Sequence, residues 1–329
     1  MNIFSFLLIT CNFLITQIAL PTFQGVHTSQ SSSTSLYDFT SHTFTTCNQV
    51  GYEGPTLAEC KSVYSPDWTD DTDYFNVTSG IQYWTVPGNA TYRITAAGSV
   101  SSTRSNVSTG RGVIYRGEFS LSQGEIIRIL CGQKEDYRSS NHPGGGGGGT
   151  FVIKAPYNSR ASILVISGGG GGRHGTSNSS FNQSQADASY DSTGQTAVVS
   201  GSTGGTAGNG GNHPGGSAGG CAGAGFFGNG NGRTRYPSND GAVSKAFING
   251  GAGGGVDGSS STMGGFGGGG FTWYSSGWAG GGGGYSGGGT GSNQNYVGNA
   301  GGGGSYNNGS NKTEVGTNTS DGYVIIEKL

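Results

Sequence analysis

The sequence predicts an all-β protein in which glycine is packed rather than loose. Three observations carry this. Short β-branched and aromatic runs are punctuated by turn residues, as strands are. Seventy of the 329 residues are glycine, gathered in runs such as Gly144–Gly149, Gly168–Gly172, Gly280–Gly284 and Gly301–Gly304, against an average usage of about 7%. The richest glycine stretch is also crowded by Phe266, Phe271, Trp273, Tyr274, Trp278 and Tyr285, whereas disordered chains are poor in aromatic residues. No ten-residue amphipathic helical pattern survives the glycines.

The glycine runs fit one architecture among three. Collagen needs glycine at every third position with abundant proline, but here the runs are unbroken and the chain has 8 prolines. A phosphate-cradling loop needs Lys-Ser/Thr after its second glycine, and Gly149 is followed by Thr150 and Phe151. What remains is a bundle of extended polyglycine helices with three residues per turn. Such a helix has no internal hydrogen bonds, so each N–H and C=O must pair with a neighbouring segment. The absence of Cβ atoms lets the segments approach closely enough to do so.

At the N-terminus, Met1–Leu20 holds an uncharged apolar stretch from Ile3 to Ile15. It resembles a secretory signal peptide, without a basic n-region or a clean cleavage site. A signal-anchor is the rival reading, weakened by the polar Thr10, Cys11, Asn12, Thr16 and Gln17. Residues 21–43 are Ser/Thr-rich and read as an unstructured lead. Strands are then expected over Ile81–Val86, stopped by Pro87, and over Thr91–Ala96, stopped by Gly98. Gly112–Leu121 and Glu125–Cys131 flank a hairpin-length turn at Ser122-Gln123-Gly124. Thr150–Lys154 and Ala161–Ser167 pair across Pro156-Tyr157-Asn158, and Thr196–Ser200, Ala242–Ile248 and Tyr323–Lys328 complete the set.

Beyond Cys11 stand Cys47, Cys60, Cys131 and Cys221, an even number that suits a disulfide framework in an exported chain. Cys47 and Cys60 flank the turn at Gly54-Pro55 and are the natural local pair; Cys131–Cys221 follows by elimination, the alternative being buried free thiols. Eight N-x-[ST] sequons offer glycan sites at Asn76, Asn89, Asn106, Asn178, Asn182, Asn308, Asn311 and Asn318. Asn141-His142-Pro143-Gly144-Gly145 returns as Asn212-His213-Pro214-Gly215-Gly216. A metal reading of the two histidines is possible, but His-Pro holding the start of a glycine run in extended geometry accounts for both. The acids of Asp67–Asp73 around Trp68 read as a solvated loop, with an oxygen-ligand calcium site as the rival.

Longer stretches carry a resemblance. Phe44–Cys47 and Gly54-Pro55-Thr56 before Cys60 are followed by Gly80–Pro87, Tyr92–Ala96, Phe119–Leu121 and Ile129–Gln133. Then come Gly144–Val152, Ser167–Arg173, Gly264–Gly270 and Gly280–Gly288. In this order they resemble the extracellular glycine-rich region of the anaplastic lymphoma kinase and leukocyte tyrosine kinase receptors. The resemblance implies a tumour-necrosis-factor-like β-sandwich with an inserted bundle of polyglycine helices. It places a glycine-rich domain over residues 44–329, with the sandwich at 44–143 closed by 322–329 and the insert at about 144–321. The family carries valine at the Cys131 position and a cysteine beside Phe271 and Thr272 that this chain lacks, so a Cys131–Cys221 bridge would be private to it. No H-R-D, D-F-G or V-A-I-K segment occurs, so kinase chemistry does not carry over.

Net charge is −2 with 10% charged residues, which gives no basic patch for nucleic acid. The G-x-S-x-G matches at Gly215–Gly219 and Gly284–Gly288 lack the strand-to-helix turn of a nucleophile elbow. The carboxylates are scattered, and His27, His42, His142, His174 and His213 show no base or metal context in the sequence. The expectation is a protein without enzymatic activity, cofactor or metal, secreted or at the cell surface. It is read as a recognition or adhesion module for a protein or glycan ligand, touching membrane only through a signal-anchor or a partner. The alternatives are a receptor-kinase-type ectodomain in transmembrane signalling and a self-associating matrix protein.

Overall fold

The computed structural model describes residues 34–101, 108–135, 144–173, 181–198, 202–215, 220–232, 242–255, 261–273, 278–291 and 298–329. Two antiparallel sheets carry the architecture. The first contains β1 (Ser41–Phe44), β4 (Ala90–Ala97), β5 (Gly112–Leu121), β12 (Ser310–Asn318) and β13 (Tyr323–Lys328), in the spatial order β1-β13-β4-β5-β12. The second contains β2 (Phe75–Thr78), β3 (Ile81–Thr85), β6 (Ile126–Leu130), β7 (Thr150–Ile153), β8 (Ile163–Ser167) and β11 (Tyr306–Asn307), in the order β11-β8-β7-β6-β3-β2. β9 (Ser261–Thr262) and β10 (Thr272–Trp273) form a short separate ladder.

Strand alternation decides where each side chain goes. Ile94 and Ala96 of β4 stand opposite Ile326 and Val324 of β13, and Trp84 of β3 stands opposite Ile127 of β6. All six join Phe44, Tyr92, Val152 and Val165 in one core cluster drawn from both sheets. Fully burying a side chain of this size stabilises by ~1.5–3 kcal/mol, so this layer is the main apolar contribution. The second sheet is apolar on its other face too, through Ile81, Leu130, Phe151, Ile153, Ile163 and Ile166. That is why β7 and β8 read as unbroken apolar runs. Phe226, Phe247, Phe266 and Tyr285 from the glycine-rich segments cover this second face; Phe247 stacks between Phe151 and Phe226, with ring centroids 5.1 and 5.3 Å away.

The glycine segments themselves are held by backbone. Along Gly280–Gly284 the N–H groups address three neighbours in rotation. Gly280 and Gly283 donate to the carbonyls of Gly144 and Gly147 at 3.1 and 2.9 Å, Gly281 and Gly284 to Cys221 and Ala224 at 3.2 Å, and Gly282 to Gly301 at 2.9 Å. Gly169 and Gly172 donate back to Gly283 and Gly280, and Gly146 and Gly149 to Gly270 and Gly267. Each segment thus meets a given neighbour every third residue. A Cβ added at Gly282 would lie within 3.0 Å of the Gly169 and Gly170 carbonyl oxygens, so the spacing of these segments excludes any side chain.

Several sequence expectations change. The lead ends earlier than residue 43: the compact unit begins at Ser35, Phe39 is buried in the core, and Ser41–Phe44 pairs with β13. The two sheets also draw β7, β8, β11 and β12 from within the expected glycine insert 144–321. Ala242–Ile248 is not a strand; it ends in a 3-10 turn at Phe247–Asn249, with Lys245 bonded back to Ala252. Thr196–Val198 is coil as well, its amides spent on Ser202 and Asn299, while residues 199–200 lie outside the described residues. Among the described residues no other strand runs alongside either segment to form a ladder. The helical pattern missed a seven-residue helix, α1 (Leu57–Val63), too short to show periodicity. It starts on a capping box: the Glu59 N–H donates to Thr56 Oγ1 at 3.3 Å, and the Thr56 N–H donates to Glu59 Oε2 at 2.7 Å.

His42 on β1 produces a pH dependence. Its ring lies edge-on to Phe44, Tyr64 and Trp68, with centroids at 4.6, 4.7 and 5.0 Å, and its buried Nε2 has no hydrogen-bond partner. Burial lowers its pKa from 6.5 to about 4. Above pH 6.5 both folded and unfolded chains hold it neutral. Between pH 6.5 and 4 the unfolded chain takes up a proton that the folded chain refuses, so stability falls as pH falls. Allowing for the partial exposure of the ring, the loss is about 2 kcal/mol. Urea titrations at pH 7 and pH 4.5 should show this loss in the native protein and a smaller one in His42→Phe; equal losses in the two would remove His42 as the cause.

Candidate functional site

Among the described residues the glycine-rich segments bury Ile153 but leave part of the same sheet face accessible, and that strip forms the candidate site. Tyr83 of β3, Arg128 of β6 and Ile153 of β7 stand in register on one face of the second sheet. Ile153 is covered, but Tyr83 and Arg128 are only partly buried. The β7–β8 loop brings Tyr157 over Arg128. The guanidinium carbon sits 3.8 Å from the Tyr157 ring centroid and 5.1 Å from that of Tyr83, a cation clamped between two π faces. The Tyr157 hydroxyl donates to the Ile126 carbonyl at 3.0 Å, which fixes the ring. Burial raises the pKa of the Tyr157 phenol, so it stays protonated.

Two cavities meet here on either side of Gly250. One, of about 350 Å³, is lined by Ile81, Arg128, Pro156, Asn158, Phe247 and Ile248 among others. The other, of about 590 Å³, lies between α1 and the β2–β3 turn and is lined by Glu53, Thr56, Leu57, Val77, Asn249 and Ala252 among others. Gly250 caps the Phe247–Asn249 turn with φ +100, a left-handed conformation that glycine adopts without a steric cost. Ile248, 42% exposed, projects from that turn at the mouth of the smaller cavity. The combination is concave and mixes apolar walls with polar groups such as Glu53, Thr56, Asn158 and Asn249, as binding clefts do.

The residues singled out in the sequence lie elsewhere. Cys47 and Cys60 are bonded, with Cα atoms 4.9 Å apart, and tie the end of β1 to α1. Cys131 and Cys221 are not paired: both are buried free thiols, one in the intersheet core and the other with Val243 and Phe271 in a separate cluster. The expected second bridge is therefore corrected, because the glycine layer and the intersheet core hold their cysteines apart. Burial raises the Cys131 pKa, and that of Cys221 to about 11, so neither is a ready nucleophile.

Of the sequons, Asn89, Asn182, Asn308 and Asn311 are exposed and Asn76 is half-buried; Asn106 and Asn178 lie outside the described residues. Asn318 is corrected as a glycan site. It is buried, and its amide nitrogen donates to the carbonyls of Gly98, Ser320 and Asp321 at 2.8, 3.1 and 2.9 Å. A sugar on that nitrogen would displace these bonds. His213 lies flat on Trp278 at 4.6 Å, and His142 falls outside the described residues. Among the described residues no group of three His, Cys, Asp or Glu side chains comes together to hold a metal, the Asp67–Asp73 run included.

Sequence reading passed over the Tyr83–Arg128–Tyr157 clamp. The available signal was a lone charge in an apolar strand, Ile126-Ile127-Arg128-Ile129-Leu130; the register and the loop that make it a site are tertiary.

No family model matches the chain. Over 94 residues it is 31% identical to the leukocyte tyrosine kinase receptor of Mus musculus, a match covering 28% of this chain and 11% of the receptor. The chain thus spans about a tenth of the length of the curated relative it matches. The likeness is partial, to a kinase receptor and over a limited stretch. Among the described residues no helix is long and apolar enough to cross a membrane.

Proposed function

We propose that this chain is an extracellular recognition module that binds a protein ligand in the paired cavities at the margin of its glycine layer. The cavities are the observation that carries it: a cleft of this size on a rigid scaffold is where binding sites form. The scaffold is read as a tumour-necrosis-factor-like β-sandwich bearing polyglycine helices, the period-three hydrogen bonding being what a three-residue helix would give. The apolar leader and the Cys47–Cys60 bridge favour an oxidising, exported setting. The partial identity to a kinase receptor favours a second, related reading, a receptor-type ectodomain that signals through a partner supplying membrane and kinase.

The test is saturable binding of the tagged, exported protein to intact cells, displaced by excess untagged protein. Ala252→Trp, which fills the larger cavity, should weaken binding at least tenfold while leaving the melting temperature within a few degrees. Unaltered binding by that variant, or uptake that never saturates and follows self-assembly in sedimentation, would overturn the reading in favour of a different surface or a matrix role.

A further inference from the structure

We infer that Arg128 is a carboxylate-reading site, taking an acidic side chain or the C-terminal carboxylate of an extended peptide segment. This deepens the proposed function and rests on its placing the ligand at this margin.

Among the described residues Arg128 is an arginine without an acceptor. Its contacts are the two tyrosine faces. Among the described residues its buried Nε has no hydrogen-bond partner, and the guanidinium takes no part in the ion pairs of Arg93, Arg111 and Lys134. The nearby Glu125 carboxylate is turned to its own hairpin, where it accepts the Ser122 N–H at 3.1 Å. A guanidinium has five donors in a rigid planar fork, and stacking fixes its plane while using none of them. The side chain is only partly buried, so the terminal Nη edge stays open to the cavity, and a carboxylate arriving in the plane there accepts two parallel, charge-assisted bonds. The cavity at Arg128 provides the room.

The walls select a peptide over an acidic sugar. Ile81, Pro156, Phe247 and Ile248 are apolar, and Asn158 is the polar side chain among the loop residues lining the cavity besides Tyr157. The Tyr157 hydroxyl already donates to Ile126 and offers no donor to a sugar hydroxyl. An apolar residue beside the acid would instead lie against Ile248, which is largely exposed in the free protein.

The experiment uses the folded, disulfide-bonded protein and three probes: an acetylated, amidated Leu-Glu-Leu peptide, its Leu-Gln-Leu counterpart, and N-acetylneuraminic acid. Burial of the Arg128 Nε–H should slow its exchange enough for it to serve as an NMR reporter, assigned by its loss in Arg128→Gln. The glutamate peptide should shift that resonance saturably, and the glutamine peptide should bind at least tenfold more weakly. Arg128→Gln should abolish binding with strand amide shifts unchanged. Arg128→Lys, which keeps the charge but loses the fork, should bind several-fold more weakly than the native protein. Equal response to both peptides, a response to the saccharide alone, or native-strength binding by Arg128→Lys and Arg128→Gln would overturn the assignment. Cell binding that is lost in Ala252→Trp but kept in Arg128→Gln would leave the recognition reading standing and remove the carboxylate site alone.

Discussion

Gly282→Val should prevent the glycine layer from assembling. Gly282 donates to Gly301 and accepts from Gly288 at 2.8 Å, and a Cβ there would run into the carbonyl oxygens of Gly169 and Gly170. These are backbone atoms of segments that are themselves bonded on several sides, so there is no flexible side chain to swing away. Moving the Gly168–Gly172 segment aside would break its bonds to Gly283, Ser99, Ala186 and Gly280. The cost should exceed ~4 kcal/mol, beyond an ordinary overpacking change and within the tail reserved for disrupted networks. Gly282→Ala should already show most of it, because the first carbon makes the collision. Gly88→Ala is the control: Gly88 is buried too, but its added Cβ would stand 3.5 Å or more from its neighbours, in ordinary van der Waals contact, and its effect should stay near the ~1 kcal/mol of an average substitution. Denaturant titrations compare the three, and hydrogen exchange through residues 280–284 of the native protein should be slow. Fast exchange there, together with an unchanged midpoint in Gly282→Val, would mean that the runs are loose.

Replacing Cys47 and Cys60 together by alanine should cost about 3 kcal/mol, the chain-entropy value for a loop of this size. The sequence separation is 13 residues, and both cysteines are buried. The bridge joins the end of an edge strand to α1, and β1 has one strand neighbour, β13. Losing it should therefore free β1 first and expose Phe44, with earlier exchange of the β1 amides than of β4. A denaturation midpoint in the double variant equal to that of the native protein would remove the bridge from the stability of the fold. Peptide mapping without reductant checks the pairing directly, with Cys131 and Cys221 recovered as free thiols.

Strands with their own punctuation were legible. Gly112–Leu121 and Tyr323–Lys328 appear with the expected bounds, because a turn or a chain end bracketed each β-branched run. Ser310–Asn318 was not legible: it carries Asn, Lys, Thr and Glu on a largely exposed edge strand, and only pairing with β5 makes it a strand. Ala242–Ile248 failed in the opposite way, with strand-like composition but no ladder to join. The candidate site was scarcely legible. Arg128 was visible as a charge in an apolar run, but Tyr83 precedes it by 45 positions and Tyr157 follows it by 29, and neither spacing carries a signal.

By itself the sequence determined that glycine here must be satisfied by other backbone, since runs without side chains between aromatic anchors have no other way to be ordered. It also determined the local cysteine pair and the all-β class. Tertiary structure alone decided which carbonyl each glycine N–H meets, why Cys131 and Cys221 stay apart, why Asn318 is spent inside the fold, and where the glycine layer stops short of the sheet. The physical reason is common to all four. A glycine run presents the same N–H and C=O at every position, so its own sequence holds no register. Register comes from the side chains at its ends, as Phe226, Phe247, Phe266 and Tyr285 dock on the second sheet and leave Arg128 at the uncovered margin.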